Sequence, residues 1–374
     1  MKILYDHQIF ESQSIGGISR YFAELIIFNP ASEISIKYSD NLYLSKEYIQ
    51  KHSIFSKNHE RDKFFPYFNF KGKGRLFRYY SKIFRKNNQA ISTAHLKYSN
   101  FDIFHPTYYN PYFLQYLKGK PFVLTVHDMI HEIFPQYFLN DKHTVLNKKK
   151  LILAANRINV NSEQTKKDLL HFFPEVEDKI KVIYHAFALP FLIPKKKENF
   201  ILFTGMRYGY KNFEYFVQAV APLLTKHDLR LICTGQPFSN VENLLLENLG
   251  ISDRIILKFA SDEELSELYA KSIAFVFPSL YEGFGIPILE AFASQCPAIL
   301  SNTSSLPEIG GNAAVYFDPY SIEDMRNKIE NVICSPTLQN EMIQKGIERV
   351  KQFSWEKCAK ETMEVYKSVL ERKS

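Results

Sequence analysis

Cysteine is scarce and poorly placed to build a framework. Four occur in 374 residues (Cys233, Cys296, Cys334 and Cys358), and none stands in a CxxC or other metal-ligand spacing. That argues against a disulfide scaffold and a zinc ribbon, and reduced thiols in an intracellular setting are expected. No run of eighteen apolar residues occurs, so no membrane-spanning helix is expected. The opening MKILYDHQIFES turns polar at once and lacks the apolar core of a signal peptide. Acid is missing from one long stretch: between Lys63 and Asn100 there are nine Lys or Arg and no Asp or Glu. Because the whole chain carries +7, everything outside that stretch sums to −2.

Aromatic residues interleave with this basic stretch: Phe64, Phe65, Tyr67, Phe68, Phe70, Phe77, Tyr79, Tyr80 and Phe84. Such a mixture suits an anionic membrane surface, where charge attracts and rings wedge into the interface. It equally suits nucleic acid, or a solvated helix whose aromatic face packs on the core.

What is present points to two globular domains. The length exceeds one ordinary core, and 45% hydrophobic with 23% charged residues is the balance of a globular protein. Short apolar runs alternate with helical segments: MKILY, FDIFH, PFVLTVH ending at His127, AANRINVNS followed by a Ser162-capped helix, and KIKVIYHA. A Pro/Lys-rich linker around residues 189–197 follows. The alternation then restarts with NFILFTG, LRLICTG, RIILKF, IAFVFPS and PAILS, each separated by a helix. This pattern predicts parallel, doubly wound α/β sheets in both halves. Their strand C-termini face a shared crevice, where a binding site is expected. The expected boundaries are 1–188 for the first domain and 189–355 for the second. A helix from about 356 to 374 is expected to pack back onto the first.

The strongest chemical signal is Tyr281-Glu282-Gly283-Phe284-Gly285-Ile286-Pro287-Ile288-Leu289-Glu290. It follows the strand IAFVFPS, so its loop lies at a strand C-terminus. The glycines permit close backbone approach to a ligand, and Pro287 suits a first helical turn. The helix start then offers N–H groups and a positive dipole end to an anion. Glu290 is placed in that first turn, and carboxylates accept paired bonds from vicinal diols. A second segment, Gly205-Met206-Arg207-Tyr208-Gly209-Tyr210-Lys211-Asn212, also follows a strand. Two cations at a helix start oppose the dipole there and call for an anion. A third, Ser14-Ile15-Gly16-Gly17-Ile18-Ser19-Arg20, is a glycine turn before a helix, weak alone but suited to phosphate. A fourth is Val126-His127-Asp128-Met129-Ile130-His131-Glu132, with His105-Pro106-Thr107-Tyr108-Tyr109-Asn110 another strand-end loop. His127 and His131, joined by Asp128 and His105, admit a metal reading, though HxxxH needs one helix face to chelate zinc.

Glu282 and Glu290, with seven residues between them that include Gly-Phe-Gly, resemble the signature of family-4 glycosyltransferases of the GT-B fold, and VHDMIHE with RYGYKNF resembles their mannosyltransferase-like members. The resemblance implies a retaining, metal-independent hexosyltransferase with two Rossmann-like domains facing across a cleft. It assigns Glu282 to donor-sugar hydroxyls, Glu290 to the nucleotide ribose, and the backbone of Gly283, Phe284, Gly285 and Ile286 to sugar and diphosphate. Arg207 and Lys211 neutralise the diphosphate, Gly16 and Gly17 face it from the first domain, and His127 lies near the transferred sugar. The loop bearing His105, Tyr108, Tyr109 and Asn110 is expected to meet the acceptor. No Asp-x-Asp triplet occurs, which argues against a metal-dependent donor site, and no cofactor or metal is expected. GDP-mannose is the expected donor, with UDP-hexoses next. The expected acceptor is a glycan or lipid-linked saccharide of a surface polysaccharide. The expected location is cytoplasmic, on the inner face of the membrane through residues 63–100, with no nucleic acid as partner. An epimerase or phosphorylase of the same fold, a basic nucleic-acid binder and a zinc hydrolase are the competing readings.

Overall fold

A computed structural model describes residues 1–44, 73–139, 141–187 and 196–371. In the first half the strands are β1 (Ile3–Tyr5), β2 (Ser32–Ile34), β3 (Ile103–His105), β4 (Val123–Val126), β5 (Arg157–Val160) and β6 (Ile180–Val182). They pair in parallel as β2-β1-β3 and β4-β5-β6, and a parallel bridge between Phe104 and Phe122 joins the two sets. Helices of eight residues or more are α1 (Gly17–Phe28), α2 (Lys73–Tyr98), α3 (Lys142–Ala154) and α4 (Glu163–Phe172). The inner strands β1, β3 and β4 are short runs buried on both sides, as crossover helices on both faces require.

The second half holds one six-stranded parallel sheet: β7 (Phe200–Phe203), β8 (Arg230–Thr234), β9 (Ile255–Lys258), β10 (Ala274–Phe277), β11 (Ala298–Ser301) and β12 (Ala314–Phe317). Its order is β12-β11-β10-β7-β8-β9. The order reverses between β7 and β10, and the loops leaving those two strands diverge to frame a crevice. Those are the loops that carry Arg207 with Lys211 and Glu282 with Gly285. Helices α5 (Phe213–Lys226), α6 (Asn240–Asn248), α7 (Asp262–Lys271), α8 (Ile286–Ala293), α9 (Ile322–Ile333) and α10 (Pro336–Val350) cover it. The doubly wound α/β expectation therefore holds in both halves.

Helix α11 (Trp355–Glu371) follows the last strand and lies against the first sheet. Tyr366 Oη is 2.9 Å from Tyr5 Oη and 2.6 Å from His105 Nδ1, all fully buried. The basic aromatic stretch divides: residues 63–72 lie outside the described residues, whereas α2 runs through Tyr98. On its C-terminal half Asn88, Ser92 and Leu96, spaced by four, face inward. Asn88 accepts from the amides of Lys37 and Tyr38, and Ser92 Oγ lies 2.6 Å from His7 Nδ1. Among the described residues no helix is long and apolar enough to cross a membrane.

Candidate active site between the two sheets

Glu282 sits in the loop between β10 and α8. The Lys211 ammonium lies 2.6 Å from its Oε1, and the Ser279 hydroxyl donates to the same oxygen at 2.6 Å. Its backbone is clamped as well. The Glu282 carbonyl accepts from the hydroxyls of Ser304 (2.6 Å) and Ser305 (2.9 Å), and its amide donates to Ser304 Oγ. The loop is thereby rigid before any ligand contacts it.

Lys211 occupies a 3-10 turn (Gly209–Lys211) just ahead of α5. Arg207, 7% exposed, points elsewhere. Its Nε donates to Glu242 Oε1 at 2.7 Å, its Nη2 donates to the carbonyls of Gln236 and Pro237, and its guanidinium lies 4.3 Å over the Phe238 ring. Only Nη1 is buried without a hydrogen-bond partner. Both cations of this segment are paired within the chain. Each already has a carboxylate of the chain, Glu242 for Arg207 and Glu282 for Lys211.

Gly285, the residue before α8, has φ +106°, a left-handed conformation that only glycine adopts without strain. Glu290 is the fifth residue of α8, so it lies one turn further in than the sequence suggested. Its Oε2 is 3.4 Å from Tyr269 Oη. Burial pushes its carboxyl up to about 7, with Arg20 opposing and Asp262 reinforcing the shift. Arg20 itself, on α1, pairs with Asp262 at the start of α7 at 3.2 Å and so ties one sheet's helices to the other's.

The first domain's residues meet this loop directly. A Cβ on Gly17, the first residue of α1, would lie 3.4 Å from Ile286 Cδ1 at the start of α8. The N-terminal ends of two helices thus approach each other. A Cβ on Gly283 would overlap the carbonyl oxygen of His127, so that position has no room for a side chain. His127, just after β4, donates its amide to Tyr109 Oη and accepts at its carbonyl from Asn161 Nδ2. Its ring stands edge-on to Tyr21 and 5.7 Å from His185, with Nδ1 buried and unpartnered. Burial, then the neighbouring His105 and Lys148, push its pKa down to about 3, so the ring is neutral near pH 7.

The acceptor expectation fails for two residues. His105 is fully buried with Nδ1 on Tyr366 and Nε2 2.9 Å from Thr125 Oγ1, and Tyr109 is buried with its hydroxyl on the His127 amide. Neither has a surface to offer a sugar, because β3 ends inside the core rather than at its edge. Tyr108 is half-buried, and Asn110 is exposed and caps the following turn by accepting from Tyr112 N–H. For the metal reading, His131 is drawn to Asp141 at 3.4 Å and lies on the Phe138 ring.

Several participants escaped the sequence reading. Glu308 accepts from the amides of Glu163 (2.7 Å) and Gln164 (3.0 Å), so one domain's carboxylate caps the N-terminus of the other domain's α4. Ser162, read from sequence as the α4 cap, does accept from Thr165 N–H, but its hydroxyl also donates to the Gly283 carbonyl at 2.7 Å. Tyr281 Oη donates to Asp168 and accepts from the Met129 amide. His185 stacks on Tyr21 with ring centres 4.4 Å apart. Local pattern carries no sign of partners more than a hundred residues away.

Comparison with known proteins agrees with this architecture. Residues 189–349 match the family described as glycosyl transferases group 1, and residues 45–189 match glycosyltransferase family 4. The chain is 29% identical over 295 residues to O-antigen chain mannosyltransferase B of Escherichia coli, covering 71% of this chain and 74% of that protein. It is 28% identical over 211 residues to O-antigen chain mannosyltransferase RfbU of Salmonella typhimurium, covering 56% and 60%. In three dimensions it resembles a glycosyltransferase from Rickettsia africae (TM-score 0.69, 21% identity, 99% and 98% covered). It also resembles WaaG, a glycosyltransferase involved in lipopolysaccharide biosynthesis (0.68, 15%, 97% and 99%). At those identities the structural likeness speaks to the fold alone. The two matched families together run from residue 45 to 349, and the sheet order is that of two facing Rossmann-like halves. The chain belongs to the family-4 glycosyltransferases of the GT-B fold and is a hexosyltransferase.

Proposed function

We propose that this enzyme transfers mannose from GDP-mannose, with retention, to a glycan or lipid-linked saccharide of a surface polysaccharide; UDP-hexoses are the second donor class. The observation that carries the reading is the Lys211–Glu282 pair beside the point where α1 and α8 begin. Two helix N-termini and an ammonium suit a diphosphate, and a clamped carboxylate suits sugar hydroxyls. The mannose assignment rests on the curated relatives.

In this reading Lys211 exchanges Glu282 for the diphosphate, which leaves the Glu282 carboxylate to accept from the donor sugar. Gly16, Gly17, Gly283, Phe284, Gly285 and Ile286 contribute backbone, and Glu290 accepts from the ribose. Arg207 acts through its remaining Nη1 and by holding the loop at Gln236 and Pro237. His127, neutral and beside Gly283, borders the transferred sugar and contributes as a hydrogen-bonding group rather than as a charge. Lys211 and the two dipoles supply the charge that a metal provides elsewhere, so catalysis is metal-independent. Among the described residues no carboxylate stands placed as a nucleophile, so the departing diphosphate takes the acceptor hydroxyl's proton on the face from which it leaves. Tyr108 and Asn110 are the remaining acceptor candidates. The enzyme works at the inner face of the membrane, with residues 63–100 as the contact.

A thermal-shift panel of nucleotide-sugars tests the donor, because a ligand that binds only the folded state raises Tm. GDP-mannose and GDP are expected to raise it most, and a larger rise with a UDP-sugar overturns the guanine assignment. Incubation with donor alone, then with acceptor, separates transfer from epimerisation.

A further inference from the structure

Far from the cleft, at the opposite end of the second sheet, two packed helices finish side by side. Helix α5 ends at Lys226 with His227 as its cap, and α9 ends at Ile333 with Cys334 as its cap. Strand β8 begins three residues after His227, so this is the edge where strands enter, whereas Lys211 and Glu282 follow strand exits. Glu330 lies four residues before Cys334 and therefore on the same face of α9.

These three side chains converge. His227 Nε2 is 2.7 Å from Glu330 Oε1, and Cys334 Sγ is 3.9 Å from either ring nitrogen of His227. One ligand atom from each lies within 4.8 Å of the others. Tetrahedral zinc with these ligands needs separations of roughly 3.3–3.6 Å, so changes in separation of at most about 1.5 Å complete the geometry. The charge also fits, because two helix C-termini present the negative ends of their dipoles here. A cation already answers that field: Lys226 Nζ lies 2.8 Å from Glu330 Oε1. Cys334 is exposed, whereas Cys233, Cys296 and Cys358 are buried.

We propose that His227, Glu330 and Cys334 form a binding site for a divalent metal ion of the zinc class. A soft thiolate, an imidazole and a carboxylate are the donor set that zinc and cobalt accept, and water takes the fourth position. On binding, the Cys334 thiol releases one proton to solvent, and the metal displaces the Lys226 ammonium from Glu330. The ion staples the ends of α5 and α9 and leaves the transfer reaction metal-independent.

Cobalt(II) added to the full-length, metal-stripped enzyme tests this by its sulfur-to-metal charge-transfer band. One equivalent is expected to give the band, and zinc is expected to abolish it by competition. Cys334→Ser, an exposed and conservative change, loses the band and weakens cobalt binding at least tenfold, with the circular dichroism spectrum unchanged. His227→Ala weakens binding similarly, and Lys226→Ala tightens it. Absence of a band in the wild type, or equal cobalt binding by wild type and Cys334→Ser, overturns the proposal.

Discussion

Glu290 and His127 are both buried ionisable groups beside the cleft, yet their shifts run in opposite senses. Burial raises the carboxyl to about 7 and lowers the imidazole to about 3, each favouring the neutral form. Only Glu290 therefore titrates near neutrality. An ionised carboxylate accepts two hydroxyl bonds and a protonated one fewer, so donor kcat/KM should rise as pH increases through about 7. Glu290→Gln should flatten that rise, whereas His127→Asn should lower the plateau and leave the midpoint in place. The stability sign is the reverse. A carboxyl raised in the folded state stabilises most below its unfolded value and loses that contribution as pH rises through about 7. The Tm of the wild type should therefore fall relative to Glu290→Gln as pH rises from about 4.5 to about 7 and level off above that, and parallel curves would contradict the assigned shift.

Among elements, the start of α4 is one that joins the domains. Its first amides have no partner within the helix: those of Glu163 and Gln164 donate to Glu308 across the interface, and that of Thr165 donates to Ser162 Oγ. Glu308→Ala removes two charge-assisted bonds from amides that water then reaches, at a cost of about 0.5–2 kcal/mol. It should lower kcat more than donor KM, because the domains lose registry while the Glu282 loop keeps its serine clamps. Glu308→Gln should recover part of the activity. Gly283→Ala should act more severely, since its Cβ overlaps the His127 carbonyl; wild-type kcat in that variant would contradict the closed contact. The strands and the Glu282 to Glu290 loop were legible in sequence because they rest on local pattern: buried runs, a strand exit, glycines and a proline. Strands β2 and β12 were not, since SEI and AVYF lie half-exposed at sheet edges and carry no buried run to stand out. Glu308, His185 and the serines at 304 and 305 were illegible for another reason. Glu308 meets amides of the other domain, His185 meets a ring 164 residues away, and the serines lie more than twenty residues from Glu282, as Glu242 lies 35 from Arg207, so local pattern marks none of these pairings.

For the whole molecule, the chain's last helix returns to the first sheet, so the first domain's core is not complete without the end of the sequence. The Tyr366 hydroxyl joins Tyr5 and His105 inside that core. Tyr366→Phe leaves both partners buried without it and should lower stability by about 1–3 kcal/mol, read as a lower denaturation midpoint at unchanged m. An unchanged midpoint would show that α11 is held by apolar packing alone. The central claim concerns the cleft between the domains, where Lys211 is to exchange Glu282 for a diphosphate. The direct measurement is steady-state release of GDP from GDP-mannose, with acceptor present, by wild type and Lys211→Met. The account predicts turnover by the wild type and a loss of at least about a hundredfold in kcat for the variant, the scale of one removed charge-stabilising group. A variant that keeps the wild-type rate would contradict it.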